Sequence, residues 1–193
     1  AINWLGHEVH SFSEQICVDT VRPGWNEQHP EQWWEASCSV LEKITVSIDP
    51  QKIKAIGVSG QMHSPAFLDA HDKVIRPSIL WNDGRTSQQC DQINQLLGSS
   101  KVRNIIGNPI LEGFTAPKLL WLKQHEEKHF DRLKSFLIAK DYVAFKLTGE
   151  KFTEPSDASG TVLMDINSLD WSAEVIGRLS LHNLFLPEIK KST

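Results

Sequence analysis

The residues of this chain that could do chemistry fall at the ends of two short apolar runs. Gln61, Met62 and His63 lie in Gly60-Gln-Met-His-Ser-Pro65, directly after Ile53 to Ser59. Trp81, Asn82, Asp83 and Arg85 lie in Ile79-Leu-Trp-Asn-Asp-Gly-Arg85. In layered α/β proteins small ligands collect at strand ends, where short loops and backbone groups converge. An imidazole, carboxamides and an indole face suit a polyhydroxylated ligand better than a phosphate, a metal or a nucleic acid. Asp83 and Arg85, two residues apart, can also pair and fix their own loop, and that structural role is favoured for Arg85.

Other motifs are weaker. His125-Glu-Glu-Lys-His129 matches the His-Glu-x-x-His pattern that puts two zinc ligands on one helix face, with Glu126 as a general base. Its polar flanks read as a solvated helix end, so a zinc protease is a remote reading. No Gly-x-Gly-x-x-Gly or Gly-x-x-x-x-Gly-Lys-Ser/Thr cradle for phosphates occurs, nor a Gly-x-Ser-x-Gly elbow. Asp157, in Glu154-Pro-Ser-Asp-Ala-Ser-Gly160, reads as a turn residue before a cleft residue.

The elements that must position these groups follow from periodicity and punctuation. Residues 5–18 predict a hairpin, Trp25 to Pro30 a loop, and Pro30 opens a helix running to about Val46 with Trp34, Cys38, Leu41 and Ile44 on one face. Ile53 to Ser59 predicts a strand buried on both faces. Short strands at 66–68, 74–75 and 79–81 lead to a helix over 86–97, stopped by Gly98. Helices over 101–106, 116–126 and 141–147, a strand over 135–139, a polar loop over 153–160, a strand over 161–166 and a helix after Asp170 complete an α/β pattern.

Composition narrows the function. Lys and Arg number 20 against 24 Asp and Glu, a formal charge of −4, which argues against a nucleic-acid surface or a membrane patch. No apolar run is long enough to span a bilayer. The 3 cysteines, Cys17, Cys38 and Cys90, lack any metal-ligand spacing and read as reduced thiols of a cytoplasmic protein. The chain begins without Met and stops in a proline-containing segment, which reads as part of something longer.

Taken together, Gly24-Trp-Asn-Glu-Gln-His-Pro-Glu-Gln-Trp-Trp34, Gly57-Val-Ser-Gly-Gln-Met-His63, Ile79 to Arg85, Gly113-Phe-Thr-Ala-Pro-Lys-Leu-Leu-Trp121, Lys140-Asp-Tyr142, Leu147-Thr-Gly-Glu150 and Ser156 to Thr161 resemble the sugar kinases of the FGGY family, and most closely their xylulose-phosphorylating branch. The resemblance covers nearly the whole chain. It implies a ribonuclease-H-like domain of the actin, hexokinase and Hsp70 type, here the sugar-binding side of the N-terminal domain without its first strand, and a second, nucleotide-binding domain absent from residues 1–193. It implies a ketose substrate held by Met62, His63, Trp81 and, more weakly, Asp83. ATP and Mg²⁺ would serve the parent enzyme, often a homodimer. The family's phosphate loop and catalytic aspartate have no counterpart here, so no residue is assigned to catalysis, cofactor or metal, and the chain alone is expected to be inactive. Kinases for gluconate, rhamnulose or ribulose, and a non-catalytic sugar-binding module, are the alternatives.

Overall fold

The structure is a computed structural model, and it describes residues 1–192. Strands β1 (Asp19–Arg22) and β2 (Trp25–Gln28) pair antiparallel around Pro23-Gly24. Gly24, at φ 79, takes the left-handed turn position that a side chain would resist. Residues 25–28, expected as loop, are thus a strand. Their polar sequence hid it, because Glu27 and Gln28 are buried by specific partners instead of by apolar character.

Helix α1 (Pro30–Ser47) starts as expected, with His29 as its cap and Pro30 at the first turn. Its buried stripe is turned by one residue. Trp33 and Ile44 are buried, whereas Trp34, Cys38 and Leu41 are half-buried. The cause is α6 (below): the Trp33 ring meets Tyr142 edge-on at 6.3 Å, and Tyr142 donates its hydroxyl to Glu31 at 2.7 Å.

The central elements are β3 (Pro65–Leu68), β4 (Ser78–Ile79), helices α2 (Ser87–Leu97), α3 (Ser99–Lys101), α4 (Thr115–His125) and α5 (Glu127–Arg132), strand β5 (Ser135–Ile138) and helix α6 (Ala139–Thr148). β4 joins β2, giving the order β1-β2-β4, and β3 pairs antiparallel with β5. Strand alternation divides the core. Phe67 and Phe136, opposite each other, face α2 and α4, while Ala66, Leu68 and Leu137 face α1 and α6. On α2, Cys90, Ile93 and Leu97 are buried as their spacing predicts, and Gly98 caps the helix. The expected helix over 101–106 is a π-helical turn following α3.

The rest of the chain comprises β6 (Phe152–Thr153), α7 (Pro155–Gly160), β7 (Met164–Asp165), β8 (Asp170–Trp171), α8 (Ala173–Arg178) and β9 (Glu188–Ile189). The expected loop over 153–160 is therefore largely helical. Pro155 sits in its first turn, and the Glu154 carboxylate accepts from the Ser156 and Asp157 amides at 2.9 and 3.0 Å. Burial alone would raise the pKa of Glu154, but the Ser156 hydroxyl and these bonds outweigh it and bring the pKa to about 2. The strand expected over 161–166 shrinks to β7 because Val162 takes φ 56.

An expected hairpin and an expected strand did not form, and the strand expected over 74–75 is a single Leu68–Val74 bridge. Residues 5–18 give only an Ile2–Glu8 bridge around a turn held by Asn3. Ile53 to Ser59 pairs with no strand among the described residues and is mostly exposed. Its apolar character records a demand for burial without supplying the partner that would meet it.

One interaction pins β2, the 80–86 loop and α4 together. Arg85, with 0% of its side chain exposed, donates to Asp83 at 2.9 and 2.7 Å and to Glu27 at 2.7 Å. Its guanidinium lies 4.0 Å from the Trp25 ring centroid and 5.0 Å from that of Trp121. Arg76 joins from the other side, at 2.6 Å from Glu27 and 2.9 Å from Glu126. Removing one partner of such a buried set leaves the others unpaired. Arg85→Met is expected to lose about 3–5 kcal/mol of stability in urea unfolding, and Arg85→Lys nearly as much, because an ammonium cannot fork to Asp83 and stack on indoles.

Candidate functional site

The two strand ends meet through Ser64. Its buried hydroxyl accepts from the Trp81 amide at 3.1 Å and lies 3.2 Å from both Gln61 Oε1 and the Met62 carbonyl, donating to one of them. Gln61 is held further by donating to Gln28 Oε1 at 2.9 Å, an oxygen that also accepts from Trp33 Nε1. Gln61 is thus part of the scaffold. Met62 and Trp81 are left outward, 53% and 52% exposed, on adjacent loops. Behind Trp81, a Cβ on Gly113 would come within 2.6 Å of the Trp81 carbonyl, so only glycine allows that approach.

His63 has the most determined geometry. Its backbone lies at φ 61, a region that costs a side chain about 1–2 kcal/mol. Its carbonyl accepts from Lys118 Nζ at 2.8 Å and Thr115 Oγ1 at 3.3 Å, both from α4. The ring meets Phe114 edge-on at 4.5 Å and lies over Gly160, the last residue of α7. Nδ1 is buried without a hydrogen-bond partner among the described residues. Burial, and then the charge of Lys118, lower the pKa of His63 to about 4. At neutral pH the ring is therefore uncharged, with one nitrogen protonated and the other a free acceptor.

Asp83 shares the Trp81 loop, but its carboxylate is turned inward. It accepts from the Asn26 amide at 2.6 Å and from Arg85, with 0% of its side chain exposed. The pairing expected of Asp83 and Arg85 is present. Asp157 contacts Lys140 Nζ at 3.0 Å, and the same ammonium reaches Asp141 at 2.5 Å and Glu154 at 3.4 Å. This cluster fixes α7 to α6 and so sets the floor under His63.

His125 and His129 do not form a metal pair. α4 ends at His125, Glu126 breaks the helix at φ −134 and ψ 56, and His129 lies on α5. The His125 ring stacks on Trp121 at 5.1 Å, and His129 bonds Glu126 at 2.7 Å. A groove of about 760 Å³ adjoins Trp81, Asn82 and Gln61 but is walled mainly by apolar residues, among them Val40, Leu41, Ile56, Val58, Val143 and Leu147. Such a surface is raw core rather than a sugar site.

Sequence reasoning missed Lys118, Thr115, Phe114 and Gly160. One signal was available: Lys118 sits inside Ala116-Pro-Lys-Leu-Leu-Trp-Leu122, where every residue is buried, and a lysine there demands a reason.

The fold is that of carbohydrate kinases. A xyloylose kinase from Brucella ovis matches with a TM-score of 0.84 at 38% identity, covering 91% of this chain and 37% of its own. A gluconate kinase from Lactobacillus acidophilus matches at 0.90 with 28% identity, covering 98% of this chain and 38% of its own. The description "FGGY family of carbohydrate kinases, N-terminal domain" matches residues 1–193, and the chain belongs to that family. A xylulose kinase of Staphylococcus xylosus is 40% identical over 188 residues, 97% of this chain and 39% of the relative. The chain thus spans about two fifths of the length of the relatives it matches. No helix among the described residues is long and apolar enough to cross a membrane.

Two outcomes follow for His63. A Cβ on Gly160 would lie 2.4 Å from His63 Cε1. Gly160→Ala, which in an open helix would stabilise, is instead expected to destabilise by about 1–3 kcal/mol in urea unfolding. The folded pKa of His63, about 4, lies below its ordinary value of 6.5. The unfolded chain therefore binds the extra proton first, and stability from this group falls as pH drops from 6.5 towards 4. Melting temperatures of His63→Ala should fall less steeply than wild type across that window.

Proposed function

We propose that this chain is the sugar-recognising part of an ATP-dependent kinase converting D-xylulose to D-xylulose 5-phosphate, on a ribonuclease-H-like frame. The observation that carries the reading is the neutral His63 ring, held between Phe114 and Gly160, beside outward-facing Met62 and Trp81. Xylulose kinases of several bacteria, at about 40% identity, support the choice of sugar. In this reading His63 bonds ketose hydroxyls, Met62 and Trp81 cover the carbon faces, and Asp83 serves the pocket through the loop it pins. Sugar rings and chains present apolar C–H faces as well as hydroxyls, which is the chemistry an indole and a thioether meet.

Phosphoryl transfer needs a base for the hydroxyl, a phosphate cradle and Mg²⁺. Among the described residues no group of three or more His, Cys, Asp or Glu side chains is placed to hold a metal ion. Neither common glycine-rich phosphate cradle occurs in the sequence, and no transfer step is assigned to these residues. The gluconate kinase likeness raises a second reading, a sugar acid as substrate. A carboxylate would seek a free cation, whereas Lys118 and Arg85 are both buried and engaged, which favours the uncharged ketose.

Calorimetric titration of the chain with D-xylulose should give saturable binding, weakened about tenfold or more in His63→Ala, the worth of one or two hydrogen bonds. Equal binding by both proteins, or tighter binding of gluconate than of xylulose, would reject the reading. ADP formation by the purified chain above a no-protein control would reject the assignment of no transfer step to it.

A further inference from the structure

Lys118 is a buried cation that the sugar-binding reading leaves unused. It is 0% exposed in the middle of α4, and no carboxylate lies within ion-pair distance of its ammonium among the described residues. Burial first, and Arg85 nearby against the opposing pull of Asp83, lower its pKa to about 7. A methionine or leucine would fill the same volume at no such cost. What the ammonium does is donate to the carbonyl of His63 at 2.8 Å. Thr115, one helical turn earlier on the same face and also 0% exposed, directs its hydroxyl to the same oxygen.

Two donors on one carbonyl fix the plane of the His63–Ser64 peptide. That plane sets ψ of His63 and, with φ at 61, the direction in which the imidazole leaves the backbone. Without them a histidine relaxes towards negative φ, and its ring leaves the slot between Phe114 and Gly160. We propose that Lys118, assisted by Thr115, is a positioning residue for sugar recognition: it holds the left-handed backbone of His63 and so aims the ring at the ligand. The proposal rests on the reading of His63 as a sugar contact. The residue thus lowers stability in exchange for an aimed ring, a trade often found at functional sites.

The test uses the longest natural protein that contains this sequence, with steady-state kinetics, melting curves and NMR titration of the His63 ring. Lys118→Met should raise KM for D-xylulose about tenfold or more with a much smaller change in kcat, while the melting temperature at pH 7 is unchanged or higher. Thr115→Val, which removes the weaker donor, should raise KM in the same direction by less. In the ring titration, Lys118→Met should raise the His63 pKa, because a neighbouring positive charge has gone. A large fall in melting temperature for Lys118→Met would make Lys118 a structural brace and overturn the proposal. So would unchanged KM in both variants, or an unmoved His63 titration. A wild-type protein that phosphorylates no sugar would instead reject the functional reading, and the ring titration would still decide whether Lys118 sets His63.

Discussion

A guanidinium with no access to water survives only where its charge is balanced and all its faces are occupied. Arg85 meets that condition through Asp83 and Glu27 in its plane and through Trp25 and Trp121 at its faces. The partners come from the β1–β2 hairpin, the loop after β4 and the buried helix α4. Those elements carry, respectively, the Asn26 amide that locks Asp83, the exposed Trp81, and the Lys118 and Thr115 donors to His63. The two ligand loops are therefore referenced to one charged centre. A displacement of Arg85 would move the indole of one loop and the helix that holds the other.

Much of this arrangement was legible because local chemistry and the fold agree. The α2 stripe of Cys90, Ile93 and Leu97, its Gly98 stop, and Pro30 at the start of α1 all read directly from residue type and spacing. So did the pairing of Asp83 with Arg85. Much of what was hidden lay in how polar residues are satisfied, by distant partners or by local caps. Trp25 to Gln28 looked like a loop because Glu27 and Gln28 are polar, yet Arg76, Arg85, Gln61 and Trp33 bury them in a strand. Pro155 to Gly160 looked like a turn because Pro, Ser and Asp open turns and helices alike, and only the Glu154 cap decides between them. The His125 and His129 pattern failed for a related reason. Its spacing presumes one helix, whereas Glu126 breaks it, held by a tertiary pair to Arg76 and a local one to His129.

The candidate site combines strain with exclusion. His63 and Val162 both occupy positive φ, and they flank the same contact, the first through its ring over Gly160 and the second two residues beyond that glycine. Val162, β-branched and fully buried, is the more costly of the two. Such conformations persist only where surroundings over-determine them. Here the determinants are the α4 donors on one side and the Lys140 cluster that anchors α7 on the other. The resulting ring is neutral and held on two sides, an environment poorly suited to carrying charge.

The unpaired run from Ile53 to Ser59 has a consequence for how the site responds to its surroundings. This run leads directly into Gln61, Met62 and His63, so its backbone is the lever to which the recognising loop is attached. That loop is anchored by Gln61 on Gln28, by the His63 carbonyl on α4 and by Ser64 and β3, whereas the run before it has no strand partner among the described residues. A chain that adds hydrogen bonds along residues 53–59 and covers Ile56 and Val58 would restrict that run as well. A ligand held by His63 restricts the same residues from the other direction. If His63 holds a ligand, thermodynamic linkage would make docking along residues 53–59 and ligand binding favour each other by an equal factor.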